Sequence, residues 1–122
     1  MRIFLKGSNM PRKISVTAAC NAANKYIGKP VKFGPKSWQV FYYAPRETVQ
    51  RVMQANSYAK ALTMVVKLKA FAALDMLAKS HGYVNSDNVP NHAAMTMLEI
   101  ELINGAKWQD AVRKAHGQAI TQ

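Results

Sequence analysis

The sequence contains a single cysteine, Cys20, among its 122 residues, so no disulfide can form within the chain. A chain of this length can fold around its own hydrophobic core without such a crosslink. A lone thiol is typical of proteins from a reducing compartment, and the opening residues MRIFLKG are too short an apolar run for a signal peptide. These observations predict one domain, residues 1–122, located in the cytoplasm.

Long uninterrupted apolar runs are absent as well. The longest apolar segment, residues 59–78, is interrupted by Lys60, Lys67, Lys69 and Asp75. Charged side chains of this kind are costly inside a bilayer, so we expect the protein to have no membrane partner.

Motifs for metal binding, cofactor binding or catalysis are also missing. The three histidines, His81, His92 and His116, have no metal-ligand spacing to one another or to the cysteine. No glycine-rich loop precedes a helix in phosphate-binding form. The sequence therefore predicts a non-enzymatic protein that uses no metal and no cofactor.

Acidic residues are scarce and unevenly placed. The chain has 17 lysines and arginines against six acidic residues, a formal net charge of +11. Residues 1–46 contain nine of the basic residues and none of the acidic ones, whereas residues 47–122 are nearly balanced. Phosphates, anionic lipid headgroups or an acidic protein surface are the partners that such segregation would attract. The alternative is an ordinary solvated basic face.

A stretch at residues 25–43, KYIGKPVKFGPKSWQVFYY, interleaves four lysines with six aromatic residues. Lysines on short loops bind phosphates as flexible point charges, and exposed aromatic rings stack on unpaired bases. The predicted nucleic-acid-binding residues are Arg12, Lys13, Lys25, Lys29, Lys32, Lys36, Trp38 and Tyr43. In the alternative interpretation, the rings of Phe33, Trp38 and Tyr42 are simply the core face of a hairpin.

The spacing of apolar residues predicts an α+β fold that is mostly helical. Helices are expected near residues 15–27, 46–80, 90–104 and 106–116, with a short β-hairpin across residues 31–43. The second helix is apolar nearly all round, so we expect four or so helices to pack with it as a buried central helix. The residues expected to be most buried are Leu62, Val65, Val66, Leu68, Phe71 and Leu74.

Two functions from different classes fit this sequence. The first is a small basic protein that binds DNA or RNA through the lysines and aromatic residues of its N-terminal third. Its helical part, residues 47–122, would be a scaffold or the face of a homodimer. The second is a protein-binding modulator, such as an inhibitor of the anti-defence type that mobile genetic elements encode, whose basic face covers an acidic target.

Overall fold

The structure, a computed structural model, describes residues 13–44 and 47–121. The elements within these residues are α1 Val16–Tyr26, β1 Val31–Gly34, β2 Ser37–Tyr42, β3 Arg51–Ala55, α2 Tyr58–His81, α3 His92–Ile103 and α4 Trp108–Ile120. The mostly helical α+β fold with a hairpin in the N-terminal third is confirmed.

The three strands form one antiparallel sheet in the order β1–β2–β3. Strands β1 and β2 are the predicted hairpin, in which Lys32 pairs with Trp38 before the register shifts toward the turn. Aromatic and β-branched residues favour both strands. Pro35 and Lys36 form the connection between them, directly after Gly34 at the end of β1. Glycine and proline are common in tight turns.

The prediction of one helix across residues 46–80 is wrong at its beginning, because β3 occupies part of that range. Strand β3 pairs with β2 along its whole length, from Arg51 opposite Tyr42 to Ala55 opposite Trp38. The RVMQA sequence has no strong local preference for strand, but pairing satisfies backbone groups that would otherwise be unbonded along the edge of β2. The neighbouring strand therefore decides the conformation of this segment.

Capping residues set the ends of the helices. At the start of α2, the Ser57 side chain accepts a hydrogen bond from the N–H of Lys60. At the start of α1, the Ser15 side chain accepts one from Ala18. Helix α2 ends at Gly82, whose φ of 88° is a left-handed conformation that glycine adopts without strain. Local capping hydrogen bonds and the backbone conformation of one glycine thus account for these helix boundaries.

Helix α2 contacts most of the other elements, since it packs against α1 and α4 and touches β2 and β3. Most of its residues between positions 70 and 78 are buried, but its first half is more accessible. Burial of α2 on all sides is therefore not confirmed. No helix in the described part of the chain combines the length and hydropathy required to span a membrane.

The hydrophobic core is built largely from small residues, and alanines make up half of the buried apolar side chains in the described residues. Of the residues predicted to be most buried, Leu74 is fully buried and Val65 nearly so. Leu62 is 39% exposed and Val66, Leu68 and Phe71 are only partly buried, so the prediction is wrong for these four. Buried alanines let neighbouring backbones approach closely, and the larger side chains on other faces of α2 are consequently less enclosed.

Candidate functional site

One face of the sheet points toward the helices. Trp38, Val40 and Tyr42 alternate along β2 on this side. Val40 is fully buried, and the rings of Trp38 and Tyr42 are partly buried against the core. The interpretation in which aromatic residues form a core face therefore applies to these two rings. It does not apply to Phe33, which is 59% exposed.

The opposite side of the sheet, which we name the open face, carries residues from all three strands. By register and alternation its members are Val31, Phe33, Gln39, Phe41, Val52 and Gln54. The rings of Phe33 and Phe41 are adjacent, with centroids 6.2 Å apart and planes inclined by 58°. Val31 and Val52 are exposed beside them. Apolar side chains exposed together in one patch are typical of a binding surface.

The two aromatic residues predicted to stack on bases have different surroundings. The Trp38 ring packs against the ring of Tyr58 at the start of α2, with centroids 4.9 Å apart. Tyr43 is half-buried, and its backbone N–H donates a hydrogen bond to the Tyr26 carbonyl at 2.7 Å. Base stacking by Trp38 or Tyr43 stays a prediction.

Three of the predicted lysines, Lys25, Lys29 and Lys36, are exposed at the end of the molecule that contains the sheet. Lys25 lies in the last turn of α1, and Lys36 lies in the hairpin turn. Lys29 lies in the link between α1 and β1, which is attached to β2 because the Gly28 N–H donates to the Phe41 carbonyl at 2.9 Å. The backbone therefore holds Lys29 beside the strand that carries Phe41.

Two other predicted lysines, Lys32 and Lys13, do not join this group. Lys32 lies opposite Trp38 in the hairpin, and its ammonium is 5.9 Å from the centre of that ring, on the helical side of the sheet. Lys13 precedes α1 and is separated from Lys25 by the length of that helix, about 16 Å. Arg12 lies outside the described residues.

None of the ion pairs within residues 13–44 and 47–121 involves a lysine of the N-terminal third. All six acidic residues of the chain come after position 46. The ion pairs among the described residues are Glu47–Arg51, Asp75–Lys79, Asp110–Arg113 and Glu101–Lys114. The two hydrogen bonds from Arg51 to Glu47 raise the pKa of that arginine and occupy its guanidinium. Lys25, Lys29 and Lys36 take part in none of these ion pairs.

A shallow depression of about 370 Å³ beside the hairpin turn brings one more lysine to this end of the molecule. Lys36 and Lys60 both line it, together with the polar residues Ser37, Gln54 and Asn56. Lys60 lies in the first turn of α2, and this first turn contains no acidic residue. The N–H groups at a helix start also favour negative charge, so this corner of the surface attracts anions. Lys60 is not among the site residues predicted from the sequence.

A second group of titratable side chains lies at the other end of α2. The rings of His81 and His116 are 4.5 Å apart, and the Tyr83 hydroxyl is 2.7 Å from Nδ1 of His116. Burial, and to a smaller extent the neighbouring His81, lowers the pKa of His116, while burial raises the pKa of Tyr83. The Nε2–H of His81 donates to the Ile14 carbonyl at 2.9 Å. The group joins the start of α1 to α2 and α4.

Within residues 13–44 and 47–121, no cluster of three histidine, cysteine or acidic side chains could hold a metal ion. Cys20 is buried, and burial raises the pKa of its thiol. Comparisons of the chain with known protein families, with curated proteins and with solved structures find no match. The function must therefore be argued from the surface itself.

Proposed function

We propose that this protein binds single-stranded nucleic acid across the open face of its sheet. The observation that carries the proposal is the exposed ring of Phe33 beside the half-buried ring of Phe41, with centroids 6.2 Å apart. Rings on an accessible surface stack on bases of any sequence and contribute about 1 to 3 kcal/mol per base. The bases of a duplex are already stacked on one another, which favours a single strand as the ligand.

The exposed lysines at the same end of the molecule supply the second part of the proposal. Lys25, Lys29 and Lys36 would contact the phosphates of a strand whose bases lie on the open face, and Lys60 would extend this path beside the hairpin turn. Each contact releases counterions from the strand, so binding gains free energy that depends on salt. Because phosphate contacts carry no base information, we expect little sequence specificity.

The alternative partner is a protein with an acidic surface, as expected for an inhibitor of the anti-defence type. Charge attracts either partner and does not distinguish them. We favour nucleic acid because lysines next to exposed rings combine the two contacts that single strands require. In this proposal the protein has no catalytic step and acts in the cytoplasm, where the buried thiol of Cys20 stays reduced.

Binding of fluorescein-labelled oligo-dT and oligo-U, followed by fluorescence anisotropy over a series of salt concentrations, tests this proposal. For three to four phosphate contacts, log K against log salt should have a slope of roughly −2 to −3 for single strands. A duplex of equal length serves as the comparison and should show no contribution from the rings. Absence of binding at about 0.01 M salt, where screening is weakest, would contradict the proposal and favour an acidic protein target.

A further inference from the structure

An apolar groove of about 670 Å³ lies between α2 and α3, on the helical part of the molecule. Helix α3 packs mainly against α4, and α4 in turn packs against α2. In this arrangement α2 and α3 make little direct contact with each other. The apolar side chains along the groove include Leu62, Val66, Phe71, Met95, Leu98 and Leu102.

The groove has an exposed apolar residue at its rim. Ile103, the last residue of α3, lines the groove and is 83% exposed. Leu62 of α2 also lines it and is exposed in part. Single exposed apolar residues are ordinary on a protein surface, but a contiguous set around a groove marks an interaction surface. The same surface thus offers a cavity and a projecting side chain.

The charges at this groove differ from those of the basic end of the molecule. Lys67 of α2 and Glu99 of α3 both line it. Glu99 forms no ion pair with any other residue in the described ranges. One positive and one negative charge give the groove no net attraction for a nucleic acid, and a strongly acidic protein would be attracted to the lysine-rich end instead. The partner that fits here has both signs of charge and an apolar projection.

We infer that the partner is a second copy of this chain. In a two-fold dimer the same patch faces itself, so each contact occurs twice. Ile103 of one protomer can enter the groove of the other, while Lys67 can pair with the partner's Glu99 and Glu99 with the partner's Lys67. The charges and the apolar side chains of the groove are therefore compatible with a two-fold contact. This inference does not depend on the proposed binding of nucleic acid, because the open face is left uncovered.

Sedimentation velocity of nuclease-treated protein, from about 1 µM to about 1 mM, measures the dimer directly. The experiment is done at about 1 M NaCl, where exposed charges more than about 3 Å apart are screened and nucleic acid cannot bridge two copies. A concentration-dependent shift from monomer to dimer is expected under these conditions. A monomer at every concentration overturns the inference.

The matched variants Ile103→Glu and Ile120→Glu locate the contact. Both isoleucines are exposed, but only Ile103 lines the groove. Ile103→Glu should raise the dimer dissociation constant at least about tenfold, as for a central interface residue, whereas Ile120→Glu should leave it unchanged. Circular dichroism checks that both variants stay folded. A dimer that is equally stable in Ile103→Glu overturns the assignment of the groove.

A charge exchange tests the pairing of the two protomers. At about 0.1 M salt, Lys67→Glu and Glu99→Lys should each weaken the dimer, and the double variant should restore it because both pairs are reversed together. If the double variant instead shows the sum of the two single losses of dimer affinity, the two-fold arrangement is contradicted. Ile103→Glu should bind oligonucleotides as the unchanged protein does, so a failure of the dimer is distinguishable from a failure of the proposed function.

Discussion

Phe33 and Phe41 belong to different strands, yet their rings lie side by side on the open face. The backbone carbonyl of Phe41 also accepts a hydrogen bond from Gly28, which ties the link after α1 to the centre of the sheet. Phe41 is thus part of the framework, whereas Phe33 is mostly exposed. Removal of the Phe33 ring consequently changes the surface with little effect on the fold.

Removal of a ring should affect binding on one face of the sheet and stability on the other. Phe33→Ala should weaken the binding of single strands by about 1 to 3 kcal/mol, with no change in the salt slope, because a stacking contact is lost. Trp38→Ala should lower the free energy of unfolding by about 2 kcal/mol, because that ring packs on Tyr58 and the core. Anisotropy and urea denaturation of both variants give the comparison.

The opposite pattern would reassign the stacking ring. If Trp38→Ala remains as stable as the unchanged protein and loses affinity, the role predicted for Trp38 from the sequence is correct. If Phe33→Ala binds single strands normally, the open face is not where the bases lie.

Lysines near the open face should determine the salt dependence of binding. Lys29→Ala and Lys36→Ala should each reduce the slope of log K against log salt by about 0.7 and weaken all single-stranded sequences alike. Lys107→Ala is the matched control, since Lys107 is exposed at the start of α4 and lies outside the N-terminal third. Equal effects from all three variants would indicate only a general loss of charge.

Two leucines of α2, Leu62 and Leu74, should differ in their contribution to the stability of the protein. Leu74 is fully buried, so Leu74→Ala should lower the free energy of unfolding by about 2 to 5 kcal/mol. Leu62 is partly exposed at the groove, so Leu62→Ala should cost less than about 1 kcal/mol. Urea denaturation at a concentration where the protein is monomeric separates the two values. Equal costs would show that the N-terminal part of α2 is enclosed.

Two glycines should respond to alanine with opposite signs. A Cβ at position 28 would lie 3.0 Å from the Phe41 carbonyl oxygen, a backbone atom, so Gly28→Ala should cost about 1 to 2 kcal/mol. Gly117 lies within α4, and a Cβ at this position would meet no atom within 4 Å apart from the neighbouring residues and backbone of its own helix. Gly117→Ala should therefore stabilise the protein by about 0.5 to 1 kcal/mol. Thermal and urea denaturation of both variants report the sign directly.

The stability of the protein should fall in mild acid through His116. Burial lowers the pKa of this histidine in the folded protein below its ordinary value of 6.5, so the unfolded chain takes up the proton more readily. The free energy of unfolding should be at its full value above about pH 6.5 and decrease as the pH falls below it. Urea midpoints measured from about pH 8 to about pH 5 follow this decrease.

A pair of histidine variants identifies the group responsible. His116→Gln should flatten the decrease, whereas His92→Gln should not, because His92 is exposed at the start of α3. An unchanged pH profile in His116→Gln would assign the acid sensitivity to other groups.

The start of α1, the end of α2 and the hairpin could be predicted from the sequence because their causes are local. Ser15 and Gly82 are capping residues, and Gly34 and Pro35 are typical of tight turns, whatever the rest of the chain does. Strand β3 could not be predicted in the same way, because pairing with β2 decides it. The polar pair before α2, Asn56 and Ser57, was the available indication that the helix begins late.

The candidate site was only partly predictable for a related reason. Alternation along β2 separates Trp38 from Phe41, but it does not say which face meets the helices. The register shift in β1 further obscures which face carries Phe33. Lysine positions were easier to anticipate, because a lysine is almost always exposed. Which lysines lie close together depends on where α1 and the hairpin meet.

The alanine-rich core restricts how this protein can change over generations. Replacement of a buried alanine by a larger residue adds volume where backbones are already close, which typically costs about 1 to 3 kcal/mol. Acceptable substitutions are therefore directed to the exterior, where the lysines and the exposed rings lie. Descendants of this chain can diverge rapidly on their surface and still preserve the arrangement of helices beneath it.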